Sequence, residues 1–101
     1  MNQQNEITES LRGFIAANFK NTELGIIRIA RNLGLSGMSE DEIVAHCREI
    51  ILSTPIGKIE ARGKNYYVHS KKHSAVLTVN RSSLGIITAK KNTSYSLTAL
   101  K

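Results

Sequence analysis

The stretch RGKNYYVHSKKHS, residues 62–74, concentrates side chains that can bind and cleave a polyanion. It holds four cations, two aromatic rings and two imidazoles without an acidic residue: Arg62, Lys64, Lys71, Lys72, Tyr66, Tyr67, His69 and His73. Cleavage of RNA without a metal ion needs a base for the 2′-hydroxyl proton, an acid for the leaving oxygen, and a cation for the charge on the phosphate. Imidazole suits both proton transfers because it titrates close to neutral pH, and lysine and arginine suit the phosphate.

Two histidines of this stretch are the predicted acid and base. His69 and His73 flank a lysine pair, so a turn at that pair would place both imidazoles near one hairpin tip. Lys64 and Thr88 are the further predicted catalytic residues, as donors to the phosphate. The alternative interpretation makes both histidines solvent-exposed turn residues without a chemical role.

The cations and tyrosines of the basic stretch, with two later cations, are the predicted nucleic-acid contacts. The period of two along a strand directs Tyr66 and Tyr67 to opposite faces. We therefore expect one ring in the core and the other stacked on a base, which is worth ~1–3 kcal/mol. Arg62 and Lys64 share one side if their strand continues that far; the alternative is a solvated edge that discourages aggregation of the sheet. The predicted contacts are Arg62, Lys64, Tyr66, Tyr67, Lys71, Lys72, Arg81 and Lys90.

Charge is distributed unevenly along the 101 residues. Residues 1–57 carry five lysines and arginines against seven acidic residues, a net charge of −2, whereas residues 58–101 carry nine against Glu60, a net charge of +8. A basic half on an otherwise balanced domain is typical of a face that binds a polyanion, and we expect RNA in preference to DNA. Solubility is the simpler explanation of the same charge.

The period of the apolar residues changes once, near Pro55. Before it, three helices are predicted: one in NEITESLRGFIAANF, one from Asn21 or Thr22 to Gly34, and one that begins with a capping box at Ser39. After it, IGKIEAR, NYYVHS, AVLTVN and GIITAK are predicted strands separated by polar turns. The sequence therefore predicts an α+β fold, with about three N-terminal helices packed on one face of a three- or four-stranded antiparallel sheet.

A single domain over residues 1–101 is expected, in three parts. The helical part covers residues 5–53, the basic β-meander covers 56–91, and the polar tail 92–101 frays or adds an edge strand. The predicted core combines apolar positions of the helices and the strands: Leu11, Phe14, Ile15, Ile27, Ala30, Leu33, Val44, Cys47, Ile51, Val68, Leu77, Val79 and Ile87.

The sequence predicts no metal site, no cofactor and no membrane span. His69 and His73 have an H-x₃-H spacing and His46 adjoins Cys47, but adjacent side chains on a helix diverge and no CxxC pair is present. Neither a signal peptide nor an apolar stretch long enough to cross a bilayer is evident. A lone cysteine excludes an internal disulfide, so we expect a reduced, cytoplasmic setting. The sequence does not indicate an oligomeric state.

From Asn21 to about Lys90 the chain resembles a family of small bacterial proteins of unknown function. The resemblance rests on NTELGIIRIARNLGL, GKNYYV and LTVNRSSLGIITAKK. The family pattern often continues I-I-T-A with histidine, where this chain has Lys90. The order of helices and a basic antiparallel sheet is also similar to the metal-independent RNases of bacterial toxins. That looser similarity implies an endoribonuclease, with a protein partner such as an antitoxin.

Two other classes of protein compete with an RNA-binding one. A winged-helix DNA-binding domain would place a helix-turn-helix in IARNLGLSGMSEDEIVAHCREII and a wing in IEARGKNYYVHS. However, its recognition helix would open with Glu40, Asp41 and Glu42, which repel phosphates. A small protein-interaction module, of the antitoxin, immunity or inhibitor type, would bind a partner through the basic half. Such a module would tolerate alanine at His69 and His73.

Overall fold

A computed structural model describes residues 7–91 of the chain. Within these residues, three α-helices are followed by four strands: α1 (Glu9–Asn18), α2 (Glu23–Leu33), α3 (Glu40–Ser53), β1 (Ile59–Arg62), β2 (Asn65–Ser70), β3 (Ala75–Asn80) and β4 (Ile86–Lys91). A 3₁₀ turn over Ile56–Lys58 connects α3 to β1. All neighbouring strands are antiparallel, in the order β1-β2-β3-β4. The predicted α+β arrangement is confirmed, and the predicted tail over 92–101 lies outside the described residues.

Each helix begins at a side chain that accepts a hydrogen bond from a free backbone amide. Thr8 caps α1, and Thr22, one of the two predicted candidates, caps α2 by accepting from the Gly25 amide at 2.9 Å. The predicted capping box of α3 is present, because the Glu42 amide donates to Ser39 Oγ and the Ser39 amide donates to Glu42 Oε1. Helix α2 ends where Gly34 takes a left-handed conformation, with φ of 71°.

The core lies between the helices and one face of the sheet. Alternate residues of β2 are buried there, and α2 packs beside β4 while α3 packs beside β2. The predicted core residues that are buried are Ile15, Ala30, Leu33, Cys47, Ile51, Val68, Leu77 and Val79, and Leu11 and Val44 pack partly buried against them. Burial also raises the pKa of the Cys47 thiol to about 11, so this group stays protonated and acts as an apolar core residue.

Three predicted core residues are instead exposed. Phe14 is 55% exposed because the buried face of α1 is centred on Ile15 and Ala16 rather than one residue earlier. Ile27 is also 55% exposed. The face of α2 that packs into the core is formed by Ile26 and the later apolar residues of the helix, and Ile27 lies beside that face.

Ile87 is 47% exposed because of a register shift in the β3–β4 ladder. Thr78 pairs with Thr88 and Val79 pairs with Ile86, so Ile87 is the extra residue of a β-bulge. The bulge turns its side chain away from the core.

The edge of the sheet formed by β4 is hydrogen-bonded to the helical half of the protein. The Ile86 amide donates to the Lys20 carbonyl, which forms a short parallel bridge beside Gly85. Further along the strand, Asn32 Nδ2 donates to the Ala89 carbonyl at 3.0 Å. These contacts fix α2 along β4. None of the described helices has the length and apolar character needed to cross a membrane.

Candidate nucleic-acid interface

The face of the sheet turned away from the helices carries three of the eight predicted nucleic-acid contacts, together with the predicted catalytic residues His69 and Thr88. The strand alternation sends Tyr66, Val68 and Ser70 toward the helices and the residues between them to the opposite face, called the outer face here. The registers then place the following residues on the outer face: Glu60, Arg62, Asn65, Tyr67, His69, Val76, Thr78, Asn80, Thr88 and Lys90.

Four side chains of β1 and β2 contact one another on this face. The guanidinium carbon of Arg62 lies 4.7 Å from the centroid of the Tyr67 ring. Glu60 stands directly opposite Tyr67, and its Oε1 lies 3.8 Å from Arg62 Nη2 and 3.5 Å from His69 Nε2. We call Glu60, Arg62, Tyr67 and His69 the β1–β2 cluster. It combines a carboxylate, a cation, an aromatic ring and an imidazole on two paired strands, and each of its side chains reaches solvent.

Glu60 is the member of this cluster that sequence reasoning missed. It counted only as the single acidic residue of the basic half. The available signal was its spacing, since Glu60 and Arg62 are two residues apart on a predicted strand and so share a face. Its contact with His69 depends on the β1–β2 register, which spacing does not give.

Two predicted residues of β4 lie on the same face as the cluster. Thr88 pairs with Thr78, which in turn pairs with Tyr67, so these three residues form a row across the sheet. Lys90 pairs with Val76, which pairs with His69. Because neighbouring strands lie about 4.8 Å apart, Lys90 stands two strands, or about 10 Å, from His69 along its row. The outer face therefore presents cations on both sides of the central strands.

Lys64 and Arg81 lie at the end of the sheet, where two turns meet. Strand β1 ends at Arg62, and Gly63 begins the turn with φ of 59°. The strand therefore does not extend to Lys64, so the condition for Arg62 and Lys64 to share one side is not met. The Arg81 amide donates to the Lys64 carbonyl at 2.8 Å, and Arg81 Nη1 donates to the Gly63 carbonyl at 3.0 Å. This arrangement holds the Arg81 guanidinium and the Lys64 backbone beside a cleft of about 670 Å³.

The two tyrosines have different surroundings, as predicted. Tyr67 lies on the outer face beneath Arg62, whereas Tyr66 is buried on the helix side, with the Arg81 guanidinium 5.6 Å from its ring centroid. Tyr66 therefore lines the cleft at the turns, and of the two rings Tyr67 is the one that reaches solvent on the outer face.

The β2–β3 turn directs His73 toward α3 instead of toward His69. Its amide donates to Ser70 Oγ at 3.1 Å, its ring centroid lies 5.0 Å from that of His46, and its Nε2 lies 3.5 Å from Glu49 Oε2. Lys72 Nζ lies 3.0 Å from the same carboxylate oxygen, and Lys71 is exposed. His69 and His73 thus contact different carboxylates on different elements. The structure does not assemble them as the predicted acid–base pair.

His46 and Glu49 of α3, which lie against the β2–β3 turn, make the stability of the protein depend on pH. Burial and the nearby His73 lower the pKa of His46 from 6.5, and the hydrogen bond from Lys72 and the contact with His73 lower the pKa of Glu49 from 4.5. For each group, the pKa in the folded chain is lower than in the unfolded chain. Between these two values the unfolded chain binds more protons than the folded chain, so stability is lost as the pH falls. The His46 contribution is complete above pH 6.5 and declines below it. The Glu49 contribution declines below pH 4.5.

We expect the melting temperature to fall from about pH 7 to about pH 5, and to fall less in a His46→Gln variant. Thermal unfolding followed by circular dichroism at several pH values measures both slopes. A wild-type profile with the same slope as that of His46→Gln over this interval would contradict the assignment to His46.

No group of three or more histidine, cysteine, aspartate or glutamate side chains within residues 7–91 could hold a metal ion. The contacts of the β1–β2 cluster join an aromatic ring, a guanidinium, a carboxylate and an imidazole. They support proton transfer, charge stabilisation and base stacking as the chemistry of the outer face.

Comparison with known proteins identifies the family and leaves its function open. No curated protein and no solved structure matches the chain. A family model described as a protein of unknown function, DUF3781, matches residues 14–90. The match includes α2, α3, the first three strands, β4 as far as Lys90, and every residue of the β1–β2 cluster. The chain therefore belongs to the DUF3781 family.

Proposed function

We propose that this protein binds single-stranded RNA across the outer face of its sheet. The observation that carries the proposal is the contact of Arg62 with the Tyr67 ring on a sheet face that the three described helices leave uncovered. A base can stack on the ring while the guanidinium contacts a neighbouring phosphate. Lys90 on the same face and the +8 charge of residues 58–101 extend the attraction for the strand beyond this contact.

Single-stranded RNA fits this face better than a duplex does. Unpaired bases can turn their faces toward Tyr67, whereas the bases of a duplex are already stacked on one another. Thr88 lies partly exposed in the same row as the ring and offers a hydroxyl group for the sugar or the phosphate, whereas Thr78 between them is buried. The 2′-hydroxyl of RNA adds a hydrogen-bonding group that DNA lacks.

The winged-helix alternative is less consistent with these contacts. Helix α3 has three acidic residues in its first turn, Glu40, Asp41 and Glu42, and all three are exposed. A recognition helix brings this end to the bases, between phosphates. In addition, β1 and β2, which would form the wing, belong to a four-stranded sheet and carry the cluster. The acidic first turn of α3 and the Tyr67 ring on the sheet therefore favour nucleic-acid binding by the sheet rather than by α3.

The proposal predicts strong salt dependence of binding to a labelled single-stranded RNA oligonucleotide. Contacts with about three to four phosphates give a slope of about −2 to −3 in log K against log salt, which weakens binding about 20- to 50-fold between about 50 and 200 mM salt. Fluorescence anisotropy measures the slope. Loss of two phosphate contacts in Arg62→Ala/Lys90→Ala should reduce its magnitude by about 1.4.

The matched control removes two cations from the opposite side of the protein. Arg28→Ala/Arg31→Ala, on exposed positions of α2, should leave the slope unchanged. A dissociation constant insensitive to salt, or no binding at the lower salt concentration, would refute the RNA-binding proposal. The second result would favour the protein-interaction module and direct the search to a protein partner.

A further inference from the structure

We propose that the β1–β2 cluster also cleaves the RNA strand that it binds, with Glu60 as the general base and His69 as the general acid. The inference rests on the proposed RNA binding and assigns a reaction to the same face. It replaces the predicted pair of histidines with a carboxylate and an imidazole that are in contact.

The geometry meets the three requirements of cleavage without a metal ion. Glu60 Oε1 and His69 Nε2 are 3.5 Å apart, so one phosphate that lies over the pair is within reach of both side chains. Arg62 Nη2, 3.8 Å from the same carboxylate oxygen, supplies the positive charge at that position. Tyr67, directly opposite Glu60, positions the adjoining base. Distances in a site without substrate are often longer than those in the complex.

The reaction is an internal transesterification. The Glu60 carboxylate takes the proton of the 2′-hydroxyl, and the 2′-oxygen forms a bond to phosphorus. The bond from phosphorus to the 5′-oxygen breaks, and protonated His69 gives its proton to that oxygen. Arg62 stabilises the negative charge that develops on the non-bridging oxygens. The products are a 2′,3′-cyclic phosphate and a 5′-hydroxyl end.

The contact between the two catalytic groups also restores them for the next cycle. After cleavage Glu60 holds a proton and His69 lacks one. Transfer of that proton from Glu60 Oε1 to His69 Nε2, across the 3.5 Å contact, returns both groups to their starting states. No metal ion, oxidant or co-reactant is consumed. His73 cannot share this role from its position against Glu49 of α3.

The test is cleavage of a labelled single-stranded RNA in excess EDTA. We expect wild-type protein to release fragments that end in a 2′,3′-cyclic phosphate, and to leave a DNA strand of the same sequence intact. Glu60→Gln and His69→Gln should each lower the rate about 10²- to 10⁴-fold. Arg62→Ala should lower it about 10²- to 10³-fold. Glu23→Gln and Arg28→Ala, on exposed positions of α2, are the matched controls and should retain the wild-type rate.

A parallel binding measurement with the same strand carrying 2′-O-methyl groups separates the two proposals. Binding of that strand without cleavage of the unmodified RNA would overturn the catalytic inference and leave RNA binding intact. Absence of both would overturn both. Cleavage that requires a metal ion, or that persists at the wild-type rate in Glu60→Gln and His69→Gln, would also overturn the assignment to this cluster.

Discussion

Replacement of Leu77 by alanine should lower the free energy of unfolding by about 2–5 kcal/mol. Leu77 is fully buried in β3, between Val68 of β2 and Ala89 of β4 on the helix side of the sheet. Strands on both sides hold β3 in place, so the surroundings cannot collapse into the space that the lost side chain leaves. The loss then combines the transfer free energy of the removed atoms with the cost of the cavity.

Leu24→Ala is the matched control because it removes the same atoms from an exposed site. Leu24 is 70% exposed on α2, and alanine is at least as good a helix former as leucine. We expect a change within about 0.5 kcal/mol. Urea denaturation of both variants gives the two values. Similar losses in Leu77→Ala and Leu24→Ala would show that β3 is not the centre of the core.

Replacement of Tyr67 by alanine should weaken RNA binding by about 1–3 kcal/mol, or about 5- to 150-fold in the dissociation constant. The variant removes the ring on which the base stacks and leaves Arg62 without its aromatic contact. Tyr67→Phe keeps the ring and loses only the hydroxyl that accepts from Asn65 Nδ2 at 3.3 Å. We therefore expect Tyr67→Phe to bind RNA nearly as tightly as the wild type.

Phe14→Ala is the control for the loss of an exposed aromatic ring. Phe14 lies on α1, away from the outer face, and its removal should leave RNA affinity unchanged. Anisotropy titrations of the three variants at one salt concentration make the comparison. Equal affinity of Tyr67→Ala and the wild type would exclude stacking on this ring.

Local signals in the sequence were sufficient for the helices and strands. Ser39 and Glu42 specify the start of α3 because each satisfies a backbone amide of the other, and Gly34 specifies the end of α2 because it tolerates a positive φ. The alternation in NYYVHS was sufficient to separate Tyr66 from Tyr67.

The errors in the predicted core arose where a neighbouring element decides the outcome. Periodicity placed both Phe14 and Ile15 on the apolar face of α1, and packing against α3 buries Ile15 but not Phe14. The exposure of Ile87 depends on a bulge that only the β3–β4 register reveals. Local sequence cannot encode these choices because each one is made by residues distant in the chain.

The composition of the candidate site was easier to predict than its arrangement. The composition of the basic stretch predicted Arg62, Tyr67 and His69 as site residues, and the structure brings these three side chains together with Glu60. The predicted pairing of His69 with His73 assumed that both imidazoles would stay near one hairpin tip. The turn instead packs His73 against α3, a tertiary contact that spacing along a hairpin does not specify.

The attachment of β4 to the helical half limits how copies of this protein can associate. Lys20 and Asn32 already bond to backbone groups along that edge, so an incoming strand would have to displace them. Among the strands within residues 7–91, association through backbone pairing is therefore directed to β1. A sheet that can be extended at one edge pairs once and then stops, because each partner has used its available edge. Such pairing would end in a closed dimer, and it would not propagate into a fibril.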